Sequence, residues 1–257
     1  MIITDDFVYI HMPKTGGTFA TEAISRVYQS RPRDILTALL PKTLLTGVPT
    51  SLVNINKHGT CREIPPAHRD KPIVATVRNP YDRYVSQYEF GWWKTHPPCD
   101  VQQIQETYPH FPDLSFEEFV SLWNSVVLRM EIKNVDFANQ ESFGFQTWQF
   151  VDFFFKEPSE VLPRIGLRCD ARREYEADMF DVHFVRTDRL NQGLFEFLLA
   201  VGHSRKKVEF VLGLEKIYPK EGGRSRQTWD EYYTPALKRR VRAMERLIFA
   251  ILPEFDV

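Results

Sequence analysis

Lys14, His58 and Arg78 are the residues whose types and settings could do chemistry on an anion. Lys14 sits in Pro13-Lys14-Thr15-Gly16-Gly17-Thr18, behind the apolar run Phe7-Val8-Tyr9-Ile10 and ahead of the stretch Ala20 to Tyr28. The run reads as a buried strand and the stretch as a helix. Glycines between them let successive backbone N–H groups point inward, and a helix N-terminus favours negative charge. Lys14 adds a cation at the mouth; Thr15 and Thr18 add hydroxyls. The spacing predicts a phosphate- or sulfate-binding loop, against the blander reading of a plain Gly-Gly turn. It is not a Walker A loop, which places its lysine after the last glycine.

Arg78 opens the second informative stretch, Arg78-Asn79-Pro80-Tyr81-Asp82-Arg83-Tyr84-Val85-Ser86. An arginine at a strand end can fork onto a phosphate. Ser86 lies about two turns into the helix that Pro80 opens. The bland alternative pairs Arg78 with Asp82 and leaves Ser86 as an ordinary helical serine. His58, alone, would read as a surface or core-edge histidine, and His11, inside the leading strand, as structural.

The elements that must position these residues follow from periodicity. Ser51 to Asn56 alternates as a strand, and Pro72 to Arg78 is an apolar, β-branched run like a central parallel strand. A helix is expected from Pro80 to about Lys94. Arg31 to Pro49 and the proline-marked stretch Pro97 to Pro112 read as loops. Ser115 and Glu118 form a capping box for a helix whose apolar face is Phe119, Leu122, Trp123 and Val126. A second helix is expected from Phe145 to Phe155, a late strand over Asp181 to Arg186 and a helix from Leu190 to Val201. A basic glycine loop follows, then a last helix from Thr234 with Leu237, Val241, Met244, Ile248 and Ile251 on one face. The alternation predicts a three-layer α/β/α fold with a mostly parallel central sheet and a P-loop-like strand-loop-helix. Ligands in such sheets bind at the carboxyl ends of the strands, where Lys14, His58 and Arg78 all fall.

At 257 residues the chain is read as one domain, 1–257, with a helical and loop region at about 92–160 for an acceptor. The net charge of −1 argues against a general nucleic-acid binder. Cys61, Cys99 and Cys169 are odd in number and widely spaced, which fits a reducing compartment and neither a disulfide framework nor a zinc site. No secretory signal or membrane span is read, so a cytoplasmic, bacterial protein is expected. No metal site is expected either.

The two motifs together resemble those of the PAPS-dependent sulfotransferases, where PAPS is 3′-phosphoadenosine 5′-phosphosulfate. Pro13-Lys14-Thr15-Gly16-Gly17-Thr18 is similar to the 5′-phosphosulfate loop, and Arg78 to Arg83 with Ser86 to the 3′-phosphate motif. The Lys-Thr-Gly-Gly-Thr form looks closer to carbohydrate-type and bacterial members. Phe184 to Leu190 is similar to the family's late strand and following helix. The resemblance implies that Lys14, Thr15, Gly16, Gly17, Thr18 and Phe19 hold the phosphosulfate, through the loop backbone and the two threonine hydroxyls. It implies that Arg78 and Ser86 grip the 3′-phosphate. Arg224 and Arg226, in Gly222 to Arg226, lie where members carry a basic loop over the cofactor. Lys14 would stabilise the leaving oxygen. His58, 20 positions before Arg78, would take the acceptor's proton, with Glu22 as the alternative base.

Sulfuryl transfer suits such a set, because it needs positioning, electrostatics and one proton acceptor. A carbohydrate or small hydroxylated metabolite is the favoured acceptor. Trp92, Trp93, Gln146 and Gln149 are weak candidates to contact it, and Trp92, Trp93, Phe143, Phe145, Trp148 and Phe150 are more often core than cleft wall. The rival readings are a P-loop kinase and a non-catalytic member that binds PAPS or its desulfated product PAP.

Overall fold

The computed structural model describes residues 1–29, 52–54, 56–132, 143–165, 175–215 and 228–256. The basic loop carrying Arg224 and Arg226, Cys169 and the stretch 31–49 lie outside the described residues. The chain divides into two compact units, Met1–Arg78 with Asp181–Ile217, and Asn79–Phe180 with Tyr218–Val257. Among the described residues five strands are seen: β1 (Ile2–Thr4), β2 (Val8–Ile10), β3 (Leu52–Asn54), β4 (Ile73–Val77) and β5 (Val182–Arg186). The principal helices are α1 (Gly17–Gln29), α2 (Pro80–Phe90), α3 (Phe116–Leu122), α4 (Phe145–Phe154), α5 (Leu190–Ala200), α6 (Pro235–Met244) and α7 (Arg246–Ile251).

The first unit holds the sheet, in the order β3-β1-β2-β4-β5. β2, β4 and β5 pair in parallel, whereas β1 runs antiparallel to both β2 and β3. Four of the five strands therefore run one way, and the α/β class with a mostly parallel sheet holds. The β4 run is buried at all five positions, as its apolar, β-branched sequence implies. β1 was not foreseen, because a run of three residues carries no periodicity. What makes it a strand is a tight link to β2, in which Thr4 Oγ1 accepts from Phe7 N at 2.9 Å and Thr4 N donates to Phe7 O at 3.0 Å.

α1 buries Ala20, Ala23, Ile24, Val27 and Tyr28, the one face that i, i+3, i+4, i+7 spacing makes. They join Phe7 from just before β2, Tyr9, Val74 and Val185 from the sheet and Leu194, Phe195, Phe197 and Leu198 from α5 in one core. Each large apolar side chain in it contributes about 1.5–3 kcal/mol of burial. That core anchors the strand and the helix on either side of the Lys14 loop.

The second unit is mainly helical. Asn79 caps α2 by accepting from Tyr81 N at 3.0 Å, with Pro80 at the first position. The helix stops short of Lys94: Gly91 is left-handed at φ 68°, and Trp92–Thr95 forms a separate turn. The capping box of Ser115 and Glu118 is present, and α3 runs on into a π-helical turn at Trp123–Val127. The stretch between the prolines contains a helix, Val101–Thr107, whose cap Asp100 accepts from Gln102 N at 2.9 Å. The last helix is broken in two at Glu245, which has φ −100° and ψ 20°.

Glu245 is fully buried, and its carboxylate does the work of a helix cap elsewhere. It accepts from Thr147 N at 2.7 Å, Thr147 Oγ1 at 2.8 Å and Tyr84 OH at 2.6 Å. The cap position of α4 itself is Gly144, which offers no side chain, and a Cβ there would lie 2.1 Å from Glu245 Oε1.

Candidate active site

The loop between β2 and α1 has the backbone an anion site needs. Lys14 takes φ 65° and Gly16 φ 84°, both left-handed, so the chain curls inward just before α1 begins at Gly17. Gly16 O accepts from Ala20 N at 3.2 Å, which makes Gly16 the helix cap. The first N–H groups of any helix lack intrahelical partners and face a ligand or water. Both glycines are also sterically required: a Cβ on Gly16 would sit 2.8 Å from Leu190 Cδ2, and one on Gly17 only 1.9 Å from the His11 ring.

Thr15 turns inward rather than toward a ligand. It is fully buried, donates its hydroxyl to Met12 O at 2.7 Å and lies 2.9 Å from Thr76 Oγ1, which is 3.0 Å from Tyr9 OH. Because Thr15 spends its one proton on Met12 O, the chain runs Tyr9 to Thr76 to Thr15. The expected role of its hydroxyl narrows to its backbone N–H. Thr187, just past β5, reaches Thr15 O at 3.0 Å and Val77 O at 2.8 Å with its hydroxyl. It ties the loop to the end of β4 and was not singled out from the sequence; its place directly after the strand-end Arg186 was the available signal. Thr18 is exposed in the first turn of α1, whereas Phe19 is buried and offers only backbone.

Arg78 follows the last residue of β4, and its Nη1 donates to Lys14 O at 3.4 Å. The guanidinium thus lies against the loop backbone. His58 is largely exposed; its Nδ1 is 2.9 Å from His11 O, and its backbone N–H donates to Asn56 Oδ1 at 3.2 Å. A carbonyl only accepts, so Nδ1 carries the proton and Nε2 keeps its lone pair. Burial pushes the His58 pKa down, and the Lys57 ammonium adds to that, while the bond to His11 opposes it. His11 is 8 % exposed, its ring meets that of His58 edge-on at 4.9 Å, and burial takes its pKa down to about 4. A cavity of about 100 Å³ opens beside His11, lined also by Met1, Ile2, Thr21 and Lys57. Glu22, on α1, is half-exposed and paired with Arg26 at 2.8 Å.

The remaining candidates belong to the second unit. Ser86 is half-buried on α2. Gln146 is 1 % exposed and donates to Pro80 O at 3.1 Å; Gln149 accepts from Arg83. Both glutamines fasten α4 to α2. Trp93, Phe143, Phe145 and Phe150 are core, whereas Trp92 is 57 % exposed. Among the described residues no cluster of three or more metal-ligating side chains occurs, and no helix is long and apolar enough to cross a membrane.

A protein-family model described as the sulfotransferase family matches residues 2–220. No curated protein and no solved structure matches the chain.

Proposed function

This chain belongs to the sulfotransferase family, whose members transfer sulfuryl groups, and we propose that its donor is PAPS and its acceptor a hydroxyl of a carbohydrate or small hydroxylated metabolite. The observation that carries the reading is the loop itself. Two left-handed residues curl the backbone ahead of α1, a lysine stands in the curl, and Arg78 lies against it. That donor set fits a ligand with two separated anions: N–H groups and a helix N-terminus for one, a forked cation for the other.

When bound, PAPS supplies a sulfuryl group on a phosphosulfate. The backbone N–H groups of Gly16 to Thr18 and the exposed Thr18 hydroxyl hold the phosphosulfate oxygens. The Lys14 ammonium neutralises charge on the leaving oxygen, a kind of contact worth roughly 10²–10³ in turnover. Arg78 takes the 3′-phosphate. His58 Nε2 accepts the acceptor hydroxyl's proton, with Nδ1–H already committed to His11 O. Glu22 is the weaker base, since its carboxylate is paired with Arg26.

Thermal unfolding with PAP, with adenosine 5′-phosphosulfate and with ATP plus magnesium tests the donor without an acceptor in hand. A ligand at about 100 times its Kd stabilises the folded state by about 2.7 kcal/mol. A clear rise with PAP, lost in Arg78→Ala, is expected. A rise with ATP–magnesium alone would move the chain to phosphoryl transfer, and silence with all three would sink PAPS as donor. Turnover by the wild type then separates an enzyme from a PAP-binding member.

A further inference from the structure

His11 lies outside the roles assigned above, yet it touches both halves of the candidate site. Its carbonyl receives His58 Nδ1 at 2.9 Å. Its ring stands edge-on to the His58 ring, centroids 4.9 Å apart at 63°. The same ring fills the space beneath Gly17: a Cβ added there would lie 1.9 Å from both Cδ2 and Nε2 of His11. One buried side chain is thus wedged between the base and the start of the helix that forms the anion loop.

We propose that His11 is a positioning residue: its carbonyl sets the tautomer of His58, its imidazole sets the plane of that ring, and by bearing on Gly17 it fixes the spacing between the base and the anion loop. The proposal rests on reading His58 as the base and the loop as the donor cradle. Close packing gives it force, because interiors transmit displacement rather than absorb it. A misplacement of about 1 Å at a reacting pair costs about 10²-fold in rate. A charged ring would disturb the brace, being repelled by His58 and Lys57; burial keeps it neutral, its pKa down at about 4.

The test joins imidazole nitrogen NMR to a size exchange. In the wild type, His58 should show the tautomer protonated at Nδ1. In His11→Ala, which keeps the carbonyl, that tautomer should persist, whereas turnover should fall at least about tenfold while PAP affinity holds within about threefold. Gly17→Ala should lose PAP affinity by at least about tenfold, its methyl being driven into the ring. His11→Ala combined with Gly17→Ala should regain most of that affinity, because the space is vacated, but not the turnover. The proposal is overturned if His58 in the wild type is protonated at Nε2, if turnover is unchanged in His11→Ala, or if the double variant binds as poorly as Gly17→Ala. Should His11→Ala fail to fold, the wild-type spectrum and His11→Asn carry the same decision. Should the wild type not bind PAP, the donor reading fails instead. The coupling of His11 with Gly17 is then read from the melting temperature, lowered in Gly17→Ala and partly restored in the double variant.

Discussion

His58 presents Nε2 as an acceptor while desolvation, with help from the Lys57 ammonium, holds its pKa below the ordinary 6.5. A base must be neutral to work, so a lowered pKa extends its working range toward acid. The pH profile of kcat/KM should therefore rise to its plateau with a midpoint below 6.5. His58→Gln should flatten that limb and lower kcat/KM by about 10²–10⁴. A limb that survives the substitution would assign the proton acceptor elsewhere, with Glu22 next in line. At this scale the placement of Lys14, His58 and Arg78 at or just beyond the ends of β2, β3 and β4 was legible from the apolar runs that precede them. Thr15 was legible only by half. Its neighbour Thr76 is 61 positions away, and no local pattern says that a loop threonine will face its own interior. Gln146 and Gln149 likewise bond to α2, at Pro80 O and Arg83, partners that a polar residue on another helix does not announce.

At the scale of elements, α4 depends on a cap it does not carry. Four hydrogen bonds to main-chain or hydroxyl donors converge on the Glu245 carboxylate from Tyr84, Gln146 and Thr147. Burial alone pushes its pKa up, and these bonds pull it back down. Removing it leaves those donors buried without an acceptor, at a cost on the order of 3–5 kcal/mol. Glu245→Ala should lower the urea midpoint of unfolding accordingly; a change under about 1 kcal/mol would show that water or a neighbour replaces it. The sequence showed a continuous last helix because its apolar spacing continues through the break. The carboxylate at the break answers to α2 and α4, which periodicity along one helix does not record. The helix opened by Ser115, which carries its own capping box, was read correctly from sequence.

For the molecule as a whole, the alternation of apolar runs was enough to place it among α/β folds, and the strand-loop-helix was the firmest part of that reading. What escaped was β1, too short to show a period, and the antiparallel pairing it brings to one side of the sheet. Stability against pH follows from the buried groups. His11 titrates near 4 when folded and at 6.5 when free. Between those values the unfolded chain binds a proton that the folded chain refuses. Its contribution is intact above pH 6.5 and is lost as pH falls toward 4, on the order of 3 kcal/mol. Glu245 acts with the opposite sign, its folded pKa being raised above 4.5, so that its contribution is lost as pH rises past that value. Comparing wild type with His11→Asn by urea unfolding at pH 7.5 and 4.5 cancels Glu245. The wild type should lose more stability on acidification; equal losses would mean that His11 is accessible to protons.

With Lys14 read as the group at the leaving oxygen, its left-handed backbone would set stability and turnover against each other at a single residue. A side chain at φ 65° is strained by about 1 kcal/mol relative to glycine, while glycine costs the folded state about 0.5–1 kcal/mol in chain entropy. Lys14→Gly should therefore melt within a few degrees of the wild type, or slightly above it, while turnover collapses with the ammonium. A chain selected for persistence alone would have no reason to keep a lysine there, and a library screened only for thermal resistance should discard it early.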